Sequence, residues 1–71
     1  MGISEEHKAI FDIFKQAIED ERKSQGLYGK AAALCDDDVM RKLFEELRAE
    51  EAVHEARLEE MYKDFRPLVT G

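Results

Sequence analysis

Apolar residues recur at intervals of three and four along nearly the whole chain, in two rows. The first row runs Ile10, Phe14, Ala17/Ile18, Glu21, Gln25, Tyr28, Ala31/Ala32 and Cys35, and the second Val39/Met40, Leu43, Leu47, Glu51, His54, Leu58, Met61 and Phe65. This is the period of an α-helix with one face turned to a core. Ser4 can cap the first helix, with Glu5 and Glu6 in its first turn, where the helix dipole favours negative charge. Asp36 to Asp38 offer caps for the second helix, and Pro67 is expected to stop it. The pattern predicts an all-α chain, a two-helix antiparallel hairpin forming one domain over residues 1–71, with helix 1 over about 4–34, a turn over about 35–37 and helix 2 over about 38–65. Gly26 and Gly29 are the weak points of the first helix, each costing about 1 kcal/mol against alanine. They signal either a bend or a place where another helix approaches closely.

The stripes are too wide for a lone pair of helices to cover. Phe11, Ile13, Phe44 and Tyr62 broaden each row beyond a narrow seam. Self-association relieves that exposure, and two hairpins related by a two-fold axis would form a four-helix bundle. A chain of 71 residues also lies near the size at which a single core supplies only about 3–5 kcal/mol. A homodimer or higher homo-oligomer is therefore expected.

Composition narrows the function classes. Seventeen acidic against eleven basic residues give a net charge of −6, which disfavours nucleic acid and anionic membrane surfaces as partners. No apolar run approaches the ~20 residues of a membrane span, and the opening residues lack the basic then hydrophobic pattern of a secretory signal. With one cysteine, Cys35, there is neither an internal disulfide nor a second thiol for a zinc or redox motif. A reducing, cytoplasmic setting is expected, either free or inside a protein compartment.

Three polar residues interrupt the apolar rows at one height. Counted from Asp36, Glu21 lies fifteen residues back, while Glu51 and His54 lie fifteen and eighteen forward. At 1.5 Å per residue both sets stand roughly 22 Å from the turn. Glu51 and His54, three apart, share a helix face. Carboxylate, carboxylate and imidazole at one level form a donor set for transition metals. Taken singly, a stripe glutamate more often keeps its head in water and a stripe histidine is more often hydrogen-bonded in a core. Their coincidence carries the metal reading.

A two-fold axis through the hairpin centre would superpose two such triads, bringing four glutamates and two histidines around two divalent cations. Glu51 and its mate would bridge, with Glu21 and His54 as terminal ligands. Four carboxylates balance two doubly charged ions, whereas without metal their repulsion raises their pKa values. Oxygen and imidazole donors accept iron, manganese or a mixed pair. Tyr28, two turns beyond Glu21, could hydrogen-bond a liganding carboxylate of the partner from outside the metal shell. His7 and Glu50 read as surface residues, and Asp36-Asp37-Asp38 reads as capping. A non-catalytic alternative needs no metal, because polar residues in an apolar stripe can serve only to set the register of a helical oligomerisation module.

The segment Glu21-Arg22-Lys23-Ser24-Gln25-Gly26-Leu27-Tyr28-Gly29-Lys30-Ala31-Ala32, followed by Leu43-Phe44-Glu45-Glu46-Leu47-Arg48-Ala49-Glu50-Glu51-Ala52-Val53-His54, resembles the rubrerythrin branch of the ferritin-like di-iron superfamily. The resemblance covers about residues 10–65. It implies a ferritin-like four-helix bundle, iron ligands at Glu21, Glu51 and His54, an outer role for Tyr28, and two iron ions per dimer. It also implies ferrous iron oxidation with oxygen or peroxide as acceptor, with Glu21, Glu51 and His54 forming the catalytic centre. Rubrerythrins carry four bundle helices in one chain, whereas this chain has two. That half-bundle layout is similar to the encapsulated ferritins, which build the di-iron centre between subunits.

Overall fold

A computed structural model describes residues 5–70. Two helices, α1 (Glu5–Leu34) and α2 (Asp38–Thr70), pack side by side as a hairpin. The result is a rod of 57 × 15 × 12 Å. Residues 35–37 make the turn, as the sequence predicts. The expected cap at Ser4 lies outside the described residues.

The turn is closed by charge. Asp37 Oδ1 accepts a hydrogen bond from the Val39 amide at 3.0 Å, and the Asp37 carbonyl accepts the Arg41 amide at 3.0 Å, so Asp37 is the residue that caps α2. Arg41 then reaches backwards. Its guanidinium donates to the Cys35 carbonyl at 2.8 Å and to Asp38 Oδ1 at 2.9 Å. One cation thus satisfies a carbonyl at the negative end of α1, whose last turn has no basic residue of its own.

Two sequence expectations about the helices need revision. Pro67 does not stop α2, which continues to Thr70. Proline's fixed φ is itself helical, and so close to a helix end its missing N–H removes a single bond from a turn that is already ending. Gly26 and Gly29 do not break α1, and neither serves a close approach of α2: a methyl group on Gly26 would meet nothing of the hairpin within 4 Å, and one on Gly29 would meet the Arg48 guanidinium at an ordinary 3.6 Å.

The seam between the helices is a ladder of rings with one polar rung. Phe11 stacks on Tyr62 with centroids 4.8 Å apart, Phe14 lies 5.7 Å from Phe65, and Tyr28 lies 6.4 Å from Phe44. His7, read as a surface residue, is exposed but sets its ring edge-on to Phe65 at 5.9 Å. The polar rung holds Arg22, which donates to Glu55 at 2.9 Å and Glu59 at 3.1 Å, and Gln25, which donates to Glu55 at 2.7 Å.

This seam covers only one flank of each stripe. Among the described residues only Ile18 and Ala32 are buried, each 8% exposed. Ile10, Leu43, Leu47 and Met61, all on the predicted rows, stand between 38% and 53% exposed. The exposed stripe residues form an open side. Met61 connects two shallow grooves on it, one lined with Phe14 and Phe65 and the other with Glu21, His54 and Leu58.

Substitutions in α1 should move stability in opposite directions. Gly26→Ala, in open space, is expected to add up to about 1 kcal/mol. Ile18→Ala, at the best-covered apolar position of the seam, is expected to cost about 2 kcal/mol, the lower limit for deeply buried sites because its surroundings can partly close. Urea denaturation midpoints of both variants against the parent check the two signs.

Candidate metal centre

Glu21, Glu51 and His54 meet as the sequence predicts. Each contributes one ligand-type atom to a group lying within 4.8 Å of one another. His54 Nδ1 stands 3.4 Å from Glu51 Oε1 and 3.8 Å from Glu21 Oε2. A metal holding oxygen and nitrogen donors at about 2.1 Å places neighbouring donors about 3.0–3.4 Å apart, from tetrahedral and octahedral geometry. The first separation already fits, and the second needs a closure of a few tenths of an ångström.

The electrostatics of the group are unfinished. Glu21 Oε2 is buried and receives no hydrogen bond. The two carboxyl groups are side by side, and neither can donate to the other when both are ionised. A proton shared with Glu51, then burial, then the charge of Glu51 raise the Glu21 pKa above its ordinary value, against a smaller opposing pull from His54. A cation held between the carboxylates would satisfy the same oxygen.

One turn further along, a second acidic group is fully satisfied. Glu55 shares a hydrogen bond with Glu59 and receives others from Arg22 and Gln25, which together hold its pKa down at about 2. Gln25 also donates to the Glu21 carbonyl at 3.3 Å, so the amide joins the backbone of one candidate ligand to this clamp. The same two helices therefore carry one polar cluster completed by protein groups and one that is not.

The remaining sequence candidates fall away from the cluster. Tyr28 lies against Phe44 and takes no part in the triad of its own hairpin. Glu50 is exposed, as expected. Sequence reasoning missed the Arg22–Glu55–Glu59 clamp, for which Gln25 in an apolar row was the one available signal, and it missed Arg57, which lines the groove beside Glu21 and His54.

Glu21 and Glu51 are about one-fifth exposed, while the His54 side chain is 52% exposed. The triad therefore opens onto the uncovered apolar side. Comparison of the chain with protein-family models, curated proteins and solved structures finds no match in any of the three. No helix is long and apolar enough to cross a membrane among the described residues.

The two glutamates dictate opposite pH limbs for the metal-free protein. Glu55, with a depressed pKa, contributes stability above the unfolded value of 4.5 and loses it as pH falls towards about 2. Glu21, with a raised pKa, contributes stability below 4.5 and loses it as pH rises through its folded pKa. Thermal melts from pH 2 to 8 under chelator should give a maximum on the acid side of neutrality. Glu21→Gln should flatten the alkaline limb alone, and Glu55→Gln the acid limb alone.

Proposed function

We propose that this chain is a metal-binding helical hairpin that works as a homodimer, the two copies jointly enclosing a pair of transition-metal ions, and that its activity is ferrous iron oxidation of the rubrerythrin and ferritin-like kind. One observation carries this reading: a buried, hydrogen-bond-less Glu21 oxygen sits beside a second carboxylate and an imidazole, on the side of the hairpin left open by its own packing.

The charge of the site supports it. Two carboxylates and one neutral imidazole per chain balance one divalent cation per chain, and a second copy offers the same set. Glu51 is assigned the bridging role, and Glu21 and His54 are terminal ligands. His54 presents Nδ1 to the carboxylates. Tyr28 is assigned a hydrogen bond to a liganding carboxylate across the interface. Iron bound here would supply one electron per ion, so that two ferrous ions and two protons reduce oxygen to hydrogen peroxide, or peroxide to water. Leu58 and Met61 line the groove beside the ligands, and a partner seated on that side would limit water around them.

The exposure of Ile10, Leu43, Leu47 and Met61 favours self-association whether or not metal binds. A catalytically silent oligomerisation module is therefore the second reading. The two are separated by metal analysis and ferrous oxidation assays. The metal reading expects about one iron or manganese per chain, and in Glu51→Ala a loss of at least about tenfold in both metal affinity and oxidation rate. Protein that binds no metal, and an oxidation rate that Glu51→Ala leaves unchanged, would leave only the module.

A further inference from the structure

The polar interruption lies at the centre of each apolar row, and that placement selects an orientation for the second copy. Hairpins meeting turn beside turn set every level against itself, so a polar site could stand at any height. Hairpins meeting with their turns at opposite ends set each level against its mirror image, so polar meets polar only at the centre. Each apolar row, counted over its seam and its open side together, has this mirror form. Phe14 and Tyr28 lie seven residues either side of Glu21, and Ile10 and Ala32 eleven. Leu47 and Met61 lie seven residues either side of His54, and Leu43 and Phe65 eleven. A single two-fold axis must cross both helices at one height. The 3.8 Å approach of His54 to Glu21 puts the two mirror points there.

That orientation lays α2 along the partner's α2, running the opposite way, and brings charges together at the rim. Glu50 and Arg57 are both exposed, and neither makes an ion pair within the described hairpin. Seven residues apart, they occupy the same side of α2 about 10 Å from each other, too far to pair within one chain. Their midpoint falls between Val53 and His54, at the level of the mirror point. Each Arg57 is thereby carried to the partner's Glu50. Lys42 and Asp64 repeat the match further out, and Glu46 against Glu60 is a like-charge opposition on the same rim.

We propose that the open side binds a second copy with its turn at the opposite end, and that reciprocal Arg57–Glu50 ion pairs flanking the candidate metal centre set this orientation and register. Flanking charges choose partner and direction in helical bundles in the same way. The proposal rests on the dimer put forward above and is independent of which metal, if any, occupies it.

The native Cys35 at the turn provides the test. Spin labels on Cys35 should stand about 42 Å apart when the turns lie at opposite ends, and under about 20 Å when they lie side by side. Arg57→Glu and Glu50→Arg should each weaken self-association about tenfold in sedimentation equilibrium, and the double exchange should return it to within about threefold of the parent. A short label distance, a double exchange no better than the singles, or a monomer at all concentrations with and without manganese would overturn the proposal. Metal content measured on the same samples keeps the two readings apart. Restored dimers with no bound metal would sink the metal centre and leave the orientation standing. Metal-loaded dimers indifferent to the exchange would do the reverse.

Discussion

Two helices side by side can cover only one flank of each other, and both helices here carry apolar stripes wider than that flank. The aromatic ladder from Phe11–Tyr62 to Tyr28–Phe44 uses the inner flank. Ile10, Leu43, Leu47 and Met61 remain on the outer one. Hydrophobic burial scales with the area removed from water, so a hairpin in which only two of the described side chains are well covered leaves part of that free energy unrealised. The open groove and the half-covered triad both follow from this shortfall.

Within that frame the chain treats its interior acids in two ways. Glu55 is surrounded by donors and is kept charged down to about pH 2. Glu21 has a carboxylate for a neighbour and an oxygen that nothing in the protein satisfies. Buried polar atoms are costly when unmatched, so the ionised form of Glu21 is disfavoured where that of Glu55, one turn away, is favoured. The two glutamates stand 34 positions apart in sequence on facing helices, and their difference comes from which side chains lie opposite.

The helices and their turn were legible from periodicity, because a three-and-four spacing sustained over thirty residues admits little else. The triad was legible because equal distances from a tight turn convert to equal heights. Pro67 misled: its helix-breaking force depends on how much helix lies beyond it, which a sequence motif does not encode. The clamp was not legible, since Arg22 and Glu55 are offset from equal height and meet only through the length of an arginine side chain. Nor did the sequence reveal that His54 would be half exposed, because a stripe residue can face either flank of a wide stripe.

Gln25 uses one amide nitrogen to hold both the carbonyl of Glu21 and the carboxylate of Glu55, one turn beyond Glu51. A neutral side chain therefore ties the α1 backbone at Glu21 to a carboxylate of α2, and it does so at every pH at which Glu55 stays ionised. The tie acts as the jaw of a vice at the level of Glu21 and Glu51, and side chains held at a set width lose little further freedom in keeping their places.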